Sequence, residues 1–122
     1  MKIIIIVDKY IDDREFRNYS SHLLEELGYK DVVIEDPRLK DDNPTNDNDI
    51  FASKDGIKYT VQTFLNKELT SEEYTETLED MQKENLDNGI IITNKDVSDS
   101  FKKYAKENSI EIIDRRSFTE EL

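Results

Sequence analysis

The sequence contains no cysteine, and this absence alone removes several classes of protein. Without thiols there is no disulfide framework, no zinc–thiolate site and no cysteine nucleophile. Glycine is scarce, and because Gly28, Gly56 and Gly89 are isolated they form no glycine-rich phosphate-binding loop. The longest apolar run, Ile3–Val7, is far shorter than the roughly 20 residues that span a bilayer. We therefore expect a cytoplasmic protein that uses neither a membrane nor thiol chemistry.

Positive charge is also in short supply. The chain carries 17 lysine and arginine residues against 29 aspartate and glutamate residues, which gives a net charge of −12. This field repels a phosphate backbone at long range, so any role on DNA needs a local basic patch or a partner protein that supplies the contacts. The length of 122 residues fits one domain, and we expect residues 1–122 to form a single domain.

Apolar patterning predicts an alternation of strands and helices, separated by a polar loop at residues 36–48. The predicted strands are Ile3–Val7, Asp31–Glu35, Asp49–Ser53, Ile57–Leu65, Gly89–Thr93 and Ile110–Ile113. The predicted helices run from Asp12 or Asp13 to Gly28, from a capping box at Thr70 to about Asn88, and across Val97–Ala105.

The order of these elements predicts an α/β fold. The second half alternates strand, helix, strand, helix and strand, which implies crossover connections and parallel strands. The first half adds an antiparallel hairpin that turns at Lys54-Asp55-Gly56, where Gly56 accepts the positive φ that such turns require. We therefore expect a mixed β-sheet flanked by helices.

The second hairpin strand carries the residues of chemical interest. Side chains alternate along a strand, so Lys58, Thr60, Gln62 and Phe64 share one face. Asp49 begins the preceding strand, and the hairpin brings its carboxylate towards that face. A carboxylate and a second oxygen ligand, with a lysine two residues along, are what metal-assisted phosphodiester hydrolysis requires.

At this point the sequence resembles the catalytic domain of Mrr-type restriction endonucleases, over roughly residues 14–122. The resemblance rests on the order and spacing of several motifs. They are Glu15-Phe16 with Leu23-Leu24-Glu25-Glu26-Leu27-Gly28-Tyr29, Asp49-Ile50-Phe51-Ala52, Tyr59-Thr60-Val61-Gln62, Gly89-Ile90-Ile91-Ile92-Thr93, Tyr104-Ala105 and Ile110-Glu111-Ile112-Ile113-Asp114. It implies a restriction-endonuclease-like fold.

The resemblance also implies a catalytic and metal-binding set, which this sequence keeps only in part. The family has an aspartate on the first hairpin strand, a glutamine or glutamate on the second and a lysine two residues later. Asp49 and Gln62 match the first two positions, whereas Phe64 stands where the lysine belongs. A glutamate that commonly follows the helical phenylalanine is replaced by Arg17. We expect Asp49 and Gln62 to be catalytic and metal-binding residues by descent, with oxygens about 4–5 Å apart, in a site that no longer works.

Three functions remain open from the sequence. The first is an inactive nuclease-fold module that binds a protein partner, a second copy, or DNA held through a partner; this role needs no cofactor. The second is an active Mg²⁺-dependent DNA endonuclease in which Lys58 or Lys67 replaces the missing lysine. The third is an acidic mimic of DNA, for which charge alone argues.

Overall fold

The computed structural model describes residues 13–35 and 49–116, which form a mixed sheet of five strands with three helices. The predicted strand at Ile3–Val7 and the predicted loop at 36–48 lie outside the described residues. The helices are α1 (Asp13–Glu26), α2 (Ser71–Lys83) and α3 (Asp99–Glu107). The strands are β1 (Lys30–Glu35), β2 (Asp49–Lys54), β3 (Ile57–Phe64), β4 (Gly89–Thr93) and β5 (Ile110–Ile113).

The strands follow one another across the sheet in chain order. β1, β2 and β3 are antiparallel, whereas β3, β4 and β5 are parallel. Asp55 and Gly56 connect β2 to β3 with φ angles of 54° and 80°, as a two-residue hairpin turn with both residues in the left-handed region requires. The predicted hairpin and the predicted parallel segment are both confirmed.

Helices cover both faces of this sheet. On one face, Phe16, Leu23 and Leu24 of α1 pack with Ile50 and Val61 of the hairpin. On the other face, a second buried cluster joins α2 and α3 to the parallel strands through Phe64, Tyr74, Met81, Ile91, Val97, Ala105, Ile110 and Ile112. All five residues of β4 are buried because the strand lies between the two layers. Within the described parts of the chain, no helix is long and apolar enough to cross a membrane.

The predicted end of the second helix is wrong. We expected α2 to reach about Asn88 and Gly89 to terminate it, but the helix ends at Lys83. Asn85 follows with a φ of 57°, and the Leu86 N–H donates to the Met81 carbonyl, which together form a Schellman motif. Gly89 instead opens β4, where a Cβ atom would lie 2.9 Å from Met81 Sδ. Its role is therefore close packing of β4 against α2.

Candidate functional site

A polar network on β3 is centred on Asp80 of α2. Thr60 and Gln62 are two residues apart, so their side chains point to the same face of the sheet. Gln62 Nε2 donates to Asp80 Oδ2 at 3.1 Å, and the Thr60 hydroxyl donates to the same oxygen. Thr60 is buried, whereas Gln62 and Asp80 are partly exposed. The amide of Gln62 is therefore held in one orientation by a neighbouring carboxylate.

Asp49 occupies the position across the hairpin from Gln62. Ile50 pairs with Val61, and continuing this antiparallel register by one residue sets position 49 opposite position 62. Residues directly opposite in an antiparallel pair share a face of the sheet. The backbone register therefore brings positions 49 and 62 opposite each other. The side chain of Asp49 lies outside the described parts, so its distance to Gln62 stays a prediction.

Phe64, at the family's lysine position, is part of the hydrophobic core. It is 8% exposed and packs in the cluster that includes Tyr74 and Met81. Lys67 Nζ lies 5.9 Å from the centre of the Phe64 ring and 3.3 Å from Glu73 Oε1. The Lys67 ammonium is therefore neutralised by an ion pair.

Lys58, the other candidate for a relocated lysine, contacts a ring. Its Nζ atom lies 5.0 Å from the centre of the Phe51 ring. Among the described residues, neither Lys58 nor Lys67 makes a hydrogen bond or ion pair with Gln62 or Asp80. The structure thus joins neither lysine to the polar network.

Glu73, which holds Lys67, is a buried carboxylate at the start of α2. Burial opposes its ionisation, but hydrogen bonds from the Thr70 hydroxyl and the Thr70 N–H, together with Lys67, outweigh this effect and lower its pKa to about 2. The Thr70–Glu73 pair is the predicted capping box, which the structure confirms. Lys67 is therefore bound to a carboxylate that stays charged at neutral pH.

The described side chains on their own do not fit a magnesium centre. Mg²⁺ prefers carboxylate oxygens in octahedral geometry. Gln62 offers one neutral oxygen, and Asp80 Oδ2 already accepts two hydrogen bonds. Within residues 13–35 and 49–116, no group of three or more histidine, cysteine, aspartate and glutamate side chains is arranged to hold a metal ion.

Sequence reasoning missed Asp80 because it lies in a helix rich in acidic residues, a pattern that is typical of a face exposed to solvent. The spacing of the helix nevertheless points to Asp80. It follows Glu73 by seven residues and Thr77 by three, so it lies next to the face of the helix that is buried. Arg17, at the family's glutamate position in α1, has a buried Nε atom with no hydrogen-bond partner in the described part of the chain. A cation there does not replace a metal ligand.

A sheet in which an antiparallel hairpin leads into two parallel strands, covered by helices on both faces, is the α/β fold of restriction endonucleases. The chain belongs to the restriction endonuclease family Mrr_cat, whose family model matches residues 9–122. The Mrr-type resemblance is therefore confirmed, as is the fold class.

Two solved structures share this fold. The DNA modification-dependent restriction endonuclease AspBHI matches with a TM-score of 0.68 and 11% sequence identity, over 99% of this chain and 34% of the AspBHI chain. The crystal structure of AF1548, a protein of unknown function, matches with a TM-score of 0.53 and 24% identity, over 81% of this chain and 56% of that one. The chain thus spans about a third of AspBHI. No curated protein sequence matches it.

Proposed function

We propose that this chain is a catalytically inactive Mrr-type domain that acts by binding DNA or a protein partner. The observation that carries the proposal is Phe64, which fills the family's lysine position with a buried hydrocarbon. A phenyl ring neither orients a water molecule nor offsets charge on a pentacovalent phosphate. Removing one group aimed at a transition state costs on the order of 10²–10³ in rate.

The rest of the site supports the same conclusion. Gln62 supplies a neutral amide where a second carboxylate would hold Mg²⁺ more tightly, and its N–H is bound to Asp80. Lys67 is paired with Glu73, so moving its ammonium into the site would leave a buried carboxylate without its cation. DNA remains the ligand that the family relationship favours, reached through a partner because of the net charge of −12.

The test is a time course of cleavage on plasmid and methylated plasmid, with Mg²⁺ or Mn²⁺ at low salt. We expect no product from the wild type. The isosteric variants Asp49→Asn and Asp55→Asn form a matched pair, because both aspartates belong to the same hairpin and Asp55 lies in its exposed turn. Nicking by the wild type that is lost in Asp49→Asn and kept in Asp55→Asn would refute the proposal. Activity gained by a folded Phe64→Lys variant would support it.

An active enzyme with a relocated lysine is the second candidate, and one observation favours Lys67 for that role. Lys67 Nζ lies 5.9 Å from the Phe64 ring centre, whereas Lys58 Nζ lies 5.0 Å from the centre of the Phe51 ring. If this candidate is correct, cleavage is lost in Lys67→Met and kept in Lys58→Met. Equal loss in both variants, or loss in neither, would exclude a relocated Lys67.

A further inference from the structure

The connection from β3 to α2 turns sharply at Asn66. This residue is exposed and has a φ of 57°, a left-handed conformation that asparagine adopts more readily than most residues with a Cβ atom. Lys67 follows directly, so the position of its backbone depends on the turn. Beyond Lys67 the chain is fixed again at Thr70, the N-cap of α2.

Asn94, the first residue after β4, holds this turn in place. Backbone pairing of the parallel strands β3 and β4 ends at Phe64 and Thr93. Past that point the Asn66 N–H donates to Asn94 Oδ1 at 2.7 Å, and Asn94 Nδ2 donates to Asn66 Oδ1 at 2.9 Å. Asn94 is 8% exposed, and a buried amide needs partners for both its oxygen and its N–H groups. The turn at Asn66 supplies a partner for each.

The residue that this turn carries, Lys67, is bound to Glu73. The two oxygens of Glu73 have different partners, because Oε2 accepts from the N–H and the hydroxyl of Thr70 whereas Oε1 lies 3.3 Å from Lys67 Nζ. Glu73 is 2% exposed, and among the described residues Lys67 is the cation that pairs with it. A buried carboxylate that loses its cation is strongly disfavoured, so the fold favours a Lys67 that stays in this position.

The Lys67 ammonium lies at the border of the β3 site. Gln62 and Phe64 share a face of β3, and Lys67 Nζ lies 5.9 Å from the centre of the Phe64 ring. Within the described part of the chain it makes no hydrogen bond or ion pair with Gln62 or Asp80. A lysine side chain is long and flexible, so the carboxylate that it reaches depends on where the turn places its backbone.

We propose that the amide pair of Asn66 and Asn94 directs Lys67 to Glu73 and so keeps its ammonium away from the site on β3. Asn94 is a positioning residue, because it acts through Lys67. The inference rests on the inactive-domain proposal and adds the contact that prevents the neighbouring cation from replacing the lost lysine.

The test is NMR spectroscopy of the full chain at pH 6, without DNA or metal. Two signals are followed, the backbone amide of Asn66 and the side-chain ammonium of Lys67, which is identified by its absence in Lys67→Met. In the wild type we expect the Lys67 ammonium to exchange its protons with water more slowly than the ammonium of Lys103. Lys103 is exposed and forms no ion pair within residues 13–35 and 49–116.

Asn94→Leu removes both hydrogen bonds and keeps a side chain of similar size. We expect hydrogen exchange of the Asn66 amide to become at least about tenfold faster, because a donor that has lost its acceptor opens to water more often. The Lys67 ammonium should then exchange as fast as that of Lys103. The side-chain amide signals of Gln62 should also shift, and this shift should disappear when Asn94→Leu is made in the Lys67→Met background.

Asn108→Leu is the matched control. Asn108 also uses its side-chain amide to bind a backbone group, since Nδ2 donates to the Tyr104 carbonyl at 3.0 Å at the end of α3. Its substitution should leave the signals of Asn66, Lys67 and Gln62 unchanged.

Substitutions of the exposed Asn66 repeat the test without altering a buried position. Asn66→Gly keeps the left-handed turn and the N–H that binds Asn94, so Lys67 should stay on Glu73. Asn66→Ala penalises the turn, because alanine is disfavoured in the left-handed region, and should release Lys67.

Three outcomes would overturn the proposal. Slow exchange of the Lys67 ammonium in both Asn94→Leu and Asn66→Ala would show that the capping box alone holds it. The same changes in Asn108→Leu would show a general loss of stability, and unchanged Gln62 signals would show that a released ammonium does not reach the site. Cleavage of DNA by the wild type would refute the inactive-domain proposal without altering these signals, so the two failures are distinguishable.

Discussion

Asp80 is the residue on which the polar surface of β3 depends, because one of its oxygens accepts from both Thr60 and Gln62. Removing the carboxylate leaves the buried Thr60 hydroxyl without this acceptor, and an unsatisfied buried donor costs about 1–3 kcal/mol. We expect Asp80→Ala to lower the free energy of unfolding by roughly that amount, measured by urea denaturation. Glu79→Ala, at the exposed neighbouring position, should change it by less than about 0.5 kcal/mol. An equal decrease in the free energy of unfolding for both variants would show that the effect comes from the helix in general and not from the hydrogen bonds of Asp80.

Glu73 predicts how stability depends on pH. Its pKa is about 2 in the folded chain against an ordinary value of 4.5, so its ionised form stabilises the fold above pH 4.5, and this contribution is lost as the pH falls towards 2. Glu73→Gln should therefore be less stable than the wild type at pH 6, by an amount comparable to a lost helix cap of about 0.5–2 kcal/mol. The difference should shrink between pH 4.5 and 2 in urea unfolding series. A gap that stays constant down to pH 2 would contradict this account.

At the scale of single residues, the sequence and the family resemblance together predict which positions belong to the site. They do not predict which side chains the site residues contact. Asp49 and Gln62 follow from strand alternation and motif spacing, and their role as a site pair stays a prediction. The link from Gln62 to Asp80 joins residues from separate elements, and it depends on how α2 is rotated against β3. That rotation is fixed by tertiary packing of Tyr74, Thr77 and Met81, which a pattern along the chain does not report.

At the scale of elements, two helices end by the same device with different residues. Gly28 follows α1 with a φ of 96°, and the Tyr29 N–H donates to the Leu24 carbonyl. Asn85 takes the equivalent place after α2 with a φ of 57°. Glycine meets no steric cost in this conformation, whereas a residue with a Cβ and no local hydrogen bond is penalised by about 1–2 kcal/mol.

Substitutions at Asn85 test this reading of the end of α2. We expect Asn85→Ala to lower the melting temperature and Asn85→Gly to keep or raise it, because the left-handed conformation costs alanine about 1 kcal/mol and glycine almost nothing. Thermal unfolding followed by circular dichroism gives the comparison. If alanine is tolerated as well as glycine, the helix continues past Glu84 in solution, as the sequence alone had predicted.

Local chemistry explains which elements were predictable. The turn at Asp55-Gly56 and the capping box at Thr70 each depend on residues that are close together in the sequence. Both occur where they were expected. The end of α2 was not predicted correctly, because Asn85 and Gly89 are both residues that can terminate a helix. The choice between them rests on the approach of Met81 to Gly89, a contact between α2 and β4 that forms only in the folded chain.

At the scale of the whole molecule, the sheet separates two apolar layers. The predicted mixed sheet follows from element order and connection rules, so it was accessible from the sequence. The organisation of residues 1–122 as one domain stays a prediction.

The net charge of the molecule predicts that it binds DNA weakly. The molecule has a net charge of −12, and several of its cations form ion pairs within the chain. These pairs are Lys102 with Asp114, Arg116 with Asp99 and Lys67 with Glu73. Non-specific DNA binding depends on cations that replace counterions along the phosphate backbone, and ordinary DNA-binding proteins reach a Kd of about 10⁻⁴–10⁻⁶ M at physiological salt.

We therefore expect the isolated chain to bind a 20-base-pair duplex more weakly than about 10⁻⁴ M at 150 mM salt, by fluorescence anisotropy. A duplex with methylated cytosine serves as the matched control, because it changes the base edges and leaves the phosphate charge constant. Equal weakness on both duplexes fits a domain that reaches DNA through a partner. A Kd near 10⁻⁶ M with a steep salt dependence would reveal a phosphate-binding surface and contradict the charge argument. Tight binding to the methylated duplex alone would instead indicate recognition of the modified base.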